Sequence, residues 1–306
     1  MSPYRAPWWL PGGHLQTLYG ALGPAPRIAW RRERWDTPDG DFIDLDWAGG
    51  ASGPLLALFH GLEGGSSSHY ARKIAAQAQA RGWRCVVPHF RGCSGEPNRL
   101  ARAYHSGDSA ELDWILRRLR PDYAAGVSLG GNALLKWLGE QGAGAARIVR
   151  RAAAASAPLD LAASGHALGR GLNRRLYARH FLVTLKAKAL AKIEQHRLQI
   201  DAGRVARART LYEFDDLVTA PLHGFRDADD YWARASSAPW LRAIRVPTLV
   251  LNARNDPFLP RAALEAATRE AAQDVVLEFP QAGGHAGFPG RGHWLARRFI
   301  EHFAAP

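Results

Sequence analysis

Gly126-Val127-Ser128-Leu129-Gly130 follows the short apolar run 123–127 and leads directly into the helix-forming run 129–140. A serine at such a junction reads as a nucleophile elbow, a sharp strand-to-helix turn that holds the hydroxyl out in strained backbone geometry. The turn tolerates only small residues around the serine, and Gly126, Gly130 and Gly131 meet that demand. The pentapeptide alone recurs by chance, so its weight comes from its context and from partners elsewhere in the chain.

The context is an alternation of strand and helix signals. Residues 27–35 and 41–47 read as two strands around the turn Pro38-Asp39-Gly40, an antiparallel hairpin. The run 54–60 is almost wholly apolar and ends in His-Gly, as a buried parallel strand would. Beyond it come a helix over 68–81, a strand over 83–88, a helix over 106–119, the strand 123–127 and the helix 129–140. Residues 148–156 are rich in alanine and fit helix or strand, and their place in the alternation favours strand. Residues 246–252 and 275–279 read as strands, 261–272 and 294–303 as helices. The pattern predicts an α/β fold, a mostly parallel twisted sheet with helices on both faces and the hairpin at one edge. Ligands bind such sheets at the carboxyl ends of the strands.

Residues 158–237 break the rhythm. They are predominantly helical, with an amphipathic run Leu182, Leu185, Ala189, Ile193 and Ile200, and read as a helical cap inserted into a core made of 1–157 and 238–306. The segment is also basic: eleven Lys or Arg lie between His166 and Tyr212 against only Glu194 and Asp201, within a chain of net charge +12. Such a surface is an ordinary solvated face or an attractor of anionic partners. Lys186, Lys188 and Lys192 flank the apolar run, which suggests peripheral contact with an anionic membrane. No nucleic-acid motif accompanies the charge, so nucleic acid is not expected as a partner.

Apolar residues make up 47% of the 306, enough for a large core. No stretch approaches the ~20 apolar residues of a spanning helix, and the segment Pro3, Pro7, Trp8, Trp9, Pro11 lacks the basic-then-apolar order of a secretory leader. The expected location is the cytoplasm. Cys85 and Cys93 are the only cysteines and read as free thiols. The histidines are scattered, C-x-x-C is absent, and neither G-x-x-x-x-G-K-[ST] nor G-x-G-x-x-G occurs, so no metal and no cofactor are expected.

A serine hydroxyl needs an adjacent imidazole, and the imidazole needs a carboxylate to fix its tautomer and stabilise its cation. In this kind of sheet the acid and the histidine follow the serine in the chain. Asp256 lies just past the strand 246–252, and His285 lies past the last strand in Gly283-Gly284-His285-Ala286-Gly287. Asp160, one strand earlier, is the alternative acid. Among other histidines, His293 and His302 fall in or near the terminal helix and His60 precedes a glycine-rich loop. The oxyanion would be held by the amides of Leu129, after the nucleophile, and Leu62, in His60-Gly61-Leu62-Glu63-Gly64-Gly65.

Further motifs carry a resemblance. They are Trp9-Leu10-Pro11-Gly12-Gly13-His14-Leu15-Gln16-Thr17, the His60-Gly61-Leu62-Glu63-Gly64 loop, Arg91-Gly92-Cys93-Ser94-Gly95-Glu96-Pro97-Asn98-Arg99-Leu100 with Tyr104-His105-Ser106-Gly107, and the elbow through Asn132. Over nearly its whole length the chain resembles the YheT-like branch of the α/β-hydrolases, AB hydrolase family 4. The resemblance implies the α/β-hydrolase fold and a Ser/Asp/His triad at Ser128, Asp256 and His285. It implies a carboxylic-ester hydrolase acting on small acyl esters or acyl lipids. It gives the Gln16 and Asn98-Arg99 regions no chemistry. The competing expectation is a hydrolase scaffold that binds lipid or an acidic partner through its basic cap without turnover.

Overall fold

The computed structural model describes residues 4–290 and 292–305. Eight strands form one sheet: β1 Arg31–Asp36, β2 Phe42–Ala48, β3 Leu55–Phe59, β4 Arg84–Pro88, β5 Tyr123–Val127, β6 Arg151–Ala155, β7 Thr248–Leu251 and β8 Val275–Glu278. Their order across the sheet is β1-β2-β4-β3-β5-β6-β7-β8. Only the pairings of β2 with β1 and β4 are antiparallel. All strands from β4 to β8 run parallel.

The expected hairpin and every expected strand are present. The alanine run resolves as β6 for a visible reason: Ala152 and Ala154 belong to the core on one face of the sheet, Ala153 and Ala155 to the core on the other. A strand buried on both faces shows no alternation of polarity, so only its position in the chain identifies it.

The major helices are α1 Gly12–Leu22, α2 His69–Gln79, α3 Ser109–Leu119, α4 Leu129–Gln141, α5 Leu161–Leu168, α6 Arg179–His196, α7 Ala228–Ala235, α8 Arg261–Ala267 and α9 Trp294–Phe303. Leu112, Ile115, Leu134 and Leu264 place α3, α4 and α8 on one face, and Ile74, Phe299 and Phe303 place α2 and α9 on the other. Between β6 and β7 the chain is helical, with π-helical turns at Arg174–Ala178, which leads into α6, and at Asp215–Thr219. This segment has its own apolar centre, including Tyr177, Leu182, Ile193 and Phe214, closed by Phe258 and Leu259 from the loop after β7 and by Leu62 from the loop after β3.

One helix was not expected from the sequence, and one sequence reading changes. Helix α1 is absent from the alternation because it is built inside out: Gln16, Thr17 and Gly20 are buried while Leu15, Tyr19 and Leu22 face solvent. The lysines of α6 do not line an outward stripe. Lys186 donates to the carbonyls of Ala206 and Ala208, Lys188 pairs with Glu63, and Lys192 is buried against the carbonyls of Asn98 and Leu100. Each ammonium is neutralised or solvated by the protein itself.

The Arg91–Arg99 motif is structural. Arg91 is buried with Glu111, Asp39 and Asp41 as partners, and Asn98 donates to Asp41 at 2.6 Å and to the Leu100 and Arg102 carbonyls. Asp41, fully buried at the start of β2, also accepts from the Arg99 amide at 2.7 Å. These bonds hold its carboxyl below the usual range although burial alone would raise it. The motif therefore pins the loop after β4 to the hairpin.

Candidate active site

Ser128 occupies the turn between β5 and α4 with φ +54° and ψ −123°, a conformation L-residues rarely adopt. The glycines make that turn sterically allowed. A Cβ on Gly126 would lie 2.4 Å from the Gly130 carbonyl oxygen, and one on Gly130 would lie 2.5 Å from the carbonyl oxygens of Phe59 and His60. The elbow is thus wedged against the end of β3, and only hydrogen fits at either position.

Ser128 Oγ lies 3.0 Å from His285 Nε2, and His285 Nδ1 lies 2.9 Å from Asp256 Oδ2. Asp256 accepts a further bond from the Phe258 amide at 2.8 Å. Its carboxylate side chain is completely buried, so it is held in one orientation with its charge directed at the imidazole. The Phe258 ring stacks on His285 at 4.0 Å between centroids and covers one imidazole face. The three residues expected from strand ends are therefore in hydrogen-bonded sequence.

The alternatives lie elsewhere. Asp160 caps α5 by accepting from the Ala163 amide. His60 is fully buried and structural, accepting from the Phe90 amide at Nε2 and lying 2.8 Å from the Gly61 carbonyl at Nδ1, and burial pushes its pKa down to about 3. His293 precedes α9 and His302 lies within it.

In the loop after β3, the Gly61 amide donates to Tyr70 Oη, that of Glu63 to Tyr104 Oη, that of Gly64 to the Gly61 carbonyl and that of Gly65 to Ser68 Oγ. Leu62 is the residue of this stretch whose amide has no acceptor among the described residues. The Leu129 amide, in the first turn of α4, is likewise without one. A Cβ placed on Gly61 would lie 3.1 Å from Ser128 Cβ, so this loop runs directly beside the nucleophile.

Several supporting residues were not legible as such. Gln16 is buried, with Oε1 accepting from Asn255 Nδ2 at 2.9 Å and from the Gly283 amide at 2.7 Å. Thr17 Oγ1 accepts from the His285 amide at 2.8 Å, and Ser156 Oγ accepts from Ala286. Helix α1 therefore ties the acid loop to the histidine loop. Glu63, at φ +53°, accepts from Tyr104 Oη at 2.8 Å and from Lys188 Nζ on α6 at 2.8 Å. Gln16 and Thr17 belong to the motif Trp9–Thr17. Nothing local to Glu63 or Lys188 announces their meeting, since 125 residues separate them.

The alpha/beta hydrolase fold family matches residues 54–291. The chain belongs to the α/β-hydrolases. It is 40% identical over 296 residues to the Escherichia coli protein named "Putative esterase YheT", covering 90% of this chain and 84% of that protein, which places it in the YheT-like branch. Phospholipase ABHD3 of Mus musculus is 32% identical over 280 residues, covering 86% of this chain and 67% of the relative. Among solved structures, the esterase EaEST from Exiguobacterium antarcticum superposes with a TM-score of 0.59 at 16% identity, over 89% of this chain and 99% of that one, a likeness of fold. Among the described residues no helix is long and apolar enough to cross a membrane.

Proposed function

We propose that this α/β-hydrolase is a serine hydrolase that cleaves carboxylic esters through an acyl-enzyme on Ser128. The observation that carries the reading is the continuous chain Ser128 Oγ, His285 Nε2, His285 Nδ1, Asp256 Oδ2, with links of 3.0 and 2.9 Å. His285 takes the Ser128 proton as Oγ attacks the acyl carbon, then delivers it to the departing alkoxide, while Asp256 holds the Nδ1–H tautomer and stabilises the imidazolium. The carbonyl oxygen, now an oxyanion, is received by the amides of Leu62 and Leu129. Water, deprotonated by the same imidazole, attacks the acyl carbon, releases the acid and returns the proton to Ser128.

The relatives named esterase and phospholipase support ester or acyl-lipid substrates over other acyl compounds. Residues 158–237 act as the cap that selects the acyl chain, because their apolar centre is shared with Leu62 and Phe258 beside the nucleophile. The free thiols Cys85 and Cys93 suit the reducing cytoplasm. The test is hydrolysis of p-nitrophenyl esters from acetate to palmitate by wild type and Ser128→Ala. Turnover lost by about 10⁴-fold in the variant is expected. Equal background rates from two folded proteins would overturn the proposal and favour a scaffold that binds without turnover.

A further inference from the structure

The outward face of α1 is the least expected surface of the molecule. Leu15, Tyr19 and Leu22, spaced at helical intervals, are exposed, Leu22 by 84%, and Trp8 and Trp9 precede them with Trp8 91% exposed. Trp9 packs edge-on against Tyr19. His14 of the same helix lies 3.2 Å from Tyr177 Oη, which joins α1 to the helical segment where Leu172, Leu176 and Val183 are also exposed. Large apolar side chains exposed together along one helix face and beside it mark a contact surface.

The charges around it identify the contact. No Asp or Glu occurs in residues 1–32 or 161–193. Arg174, Arg175 and Arg179 are exposed beside Leu172 and Leu176, and no ion pair engages them among the described residues. A second copy of the chain docked face to face would set these arginines against one another with no carboxylate to relieve them. An anionic lipid surface satisfies both features, taking the indoles and leucines into its interfacial region and the guanidinium groups onto its phosphates. We propose that α1 and the exposed face of residues 172–183 dock this protein peripherally on anionic lipid bilayers.

The inner face of the docking helix carries Gln16 and Thr17, the residues bonded to Gly283 and His285, so the docking helix is tied directly to the histidine loop. The docking itself stands apart from the ester-cleaving proposal, because it is measured without turnover.

The experiment is co-sedimentation with phosphatidylcholine vesicles, with and without phosphatidylglycerol, at low and high salt, alongside light scattering of the free protein. Wild type is expected as a monomer that pellets with phosphatidylglycerol vesicles at low salt and is released at high salt. Leu15→Glu/Leu22→Glu should weaken binding at least ten-fold with an unchanged melting temperature. Arg175→Gln/Arg179→Gln should weaken it roughly five-fold per residue removed, the ~1 kcal/mol one cation contributes near an anionic surface. Absence of binding at low salt, or variants that bind as wild type, would overturn the proposal. A wild-type dimer split by Leu15→Glu/Leu22→Glu would overturn it too, in favour of self-association.

Discussion

Replacing Lys188 by Met removes the ion pair that joins α6 to the oxyanion loop. Lys188 Nζ lies 2.8 Å from Glu63 Oε2, with the Glu63 side chain only 9% exposed and Lys188 38% exposed. Glu63 directly follows Leu62, whose amide is the proposed oxyanion donor, and a second restraint comes from Tyr104, which both accepts from the Glu63 amide and donates to its carboxylate. Complete loss of the Leu62 donor would cost about 3 kcal/mol of transition-state stabilisation, which sets the ceiling. Tyr104 remains in the variant, so the loop shifts partway, and kcat should fall about ten-fold, ~1.4 kcal/mol, with KM changed far less. Lys188→Arg, which can still bridge to Glu63, should recover most of the rate. The assay is steady-state hydrolysis of p-nitrophenyl butyrate, paired with the rate of fluorophosphonate inactivation, whose phosphoryl oxygen occupies the same oxyanion position. A change confined to KM, or no change in either rate, would refute the reasoning that α6 braces the oxyanion loop.

Other consequences are equally direct. Asp256→Asn should lower kcat by about 10⁴-fold through the wrong histidine tautomer, whereas Asp160→Asn touches only the N-cap of α5 and should cost at most about 1 kcal/mol of stability, and the ester assay on both variants decides between the acids. Thr17→Val keeps shape but leaves the His285 amide without its acceptor, so a loss of roughly 1 to 3 kcal/mol by thermal melting, with lowered kcat, is expected. Burial lowers the pKa values of His60, His69 and His223 to about 3 and of His105 and His302 to about 4, all below the ordinary 6.5. A histidine depressed in the folded state contributes stability that is complete above pH 6.5 and is lost as the pH falls toward its folded value. Asp215, raised by burial to about 6, and Glu111, raised by burial to about 7, act in the opposite direction between about pH 4 and 7, and the five histidines outweigh the two carboxyls. Melting temperature should therefore drop steadily from pH 7 to pH 4, and a flat profile would contradict this.

The sheet was legible because a parallel strand buried on both faces leaves a plain signal, four or five mostly apolar residues bounded by breakers, and Ser128 and Asp256 each follow such a run, while His285 follows the short edge strand β8, whose Val276 and Leu277 stay exposed. The β6 alanines needed the alternation to resolve them, since alanine suits either state. Helix α1 escaped notice because its polarity is inverted: its buried face holds Gln16 and Thr17, whose partners lie 239 to 268 residues away, and its apolar residues face outward. The α6 lysines misled for a related reason. Local spacing shows that Lys188 and Lys192 share one face, but only the tertiary fold supplies the Glu63 carboxylate and the Asn98 and Leu100 carbonyls that draw them inward. Periodicity reports which residues share a face and says nothing of what that face meets.

The central claim is that Ser128 is a nucleophile activated by His285. Its most direct test is intact-mass analysis of wild type and Ser128→Ala after exposure to a fluorophosphonate. A single stoichiometric adduct on wild type and none on the variant is the predicted result. An unmodified wild type that is demonstrably folded, or an equal adduct on Ser128→Ala, would contradict the account.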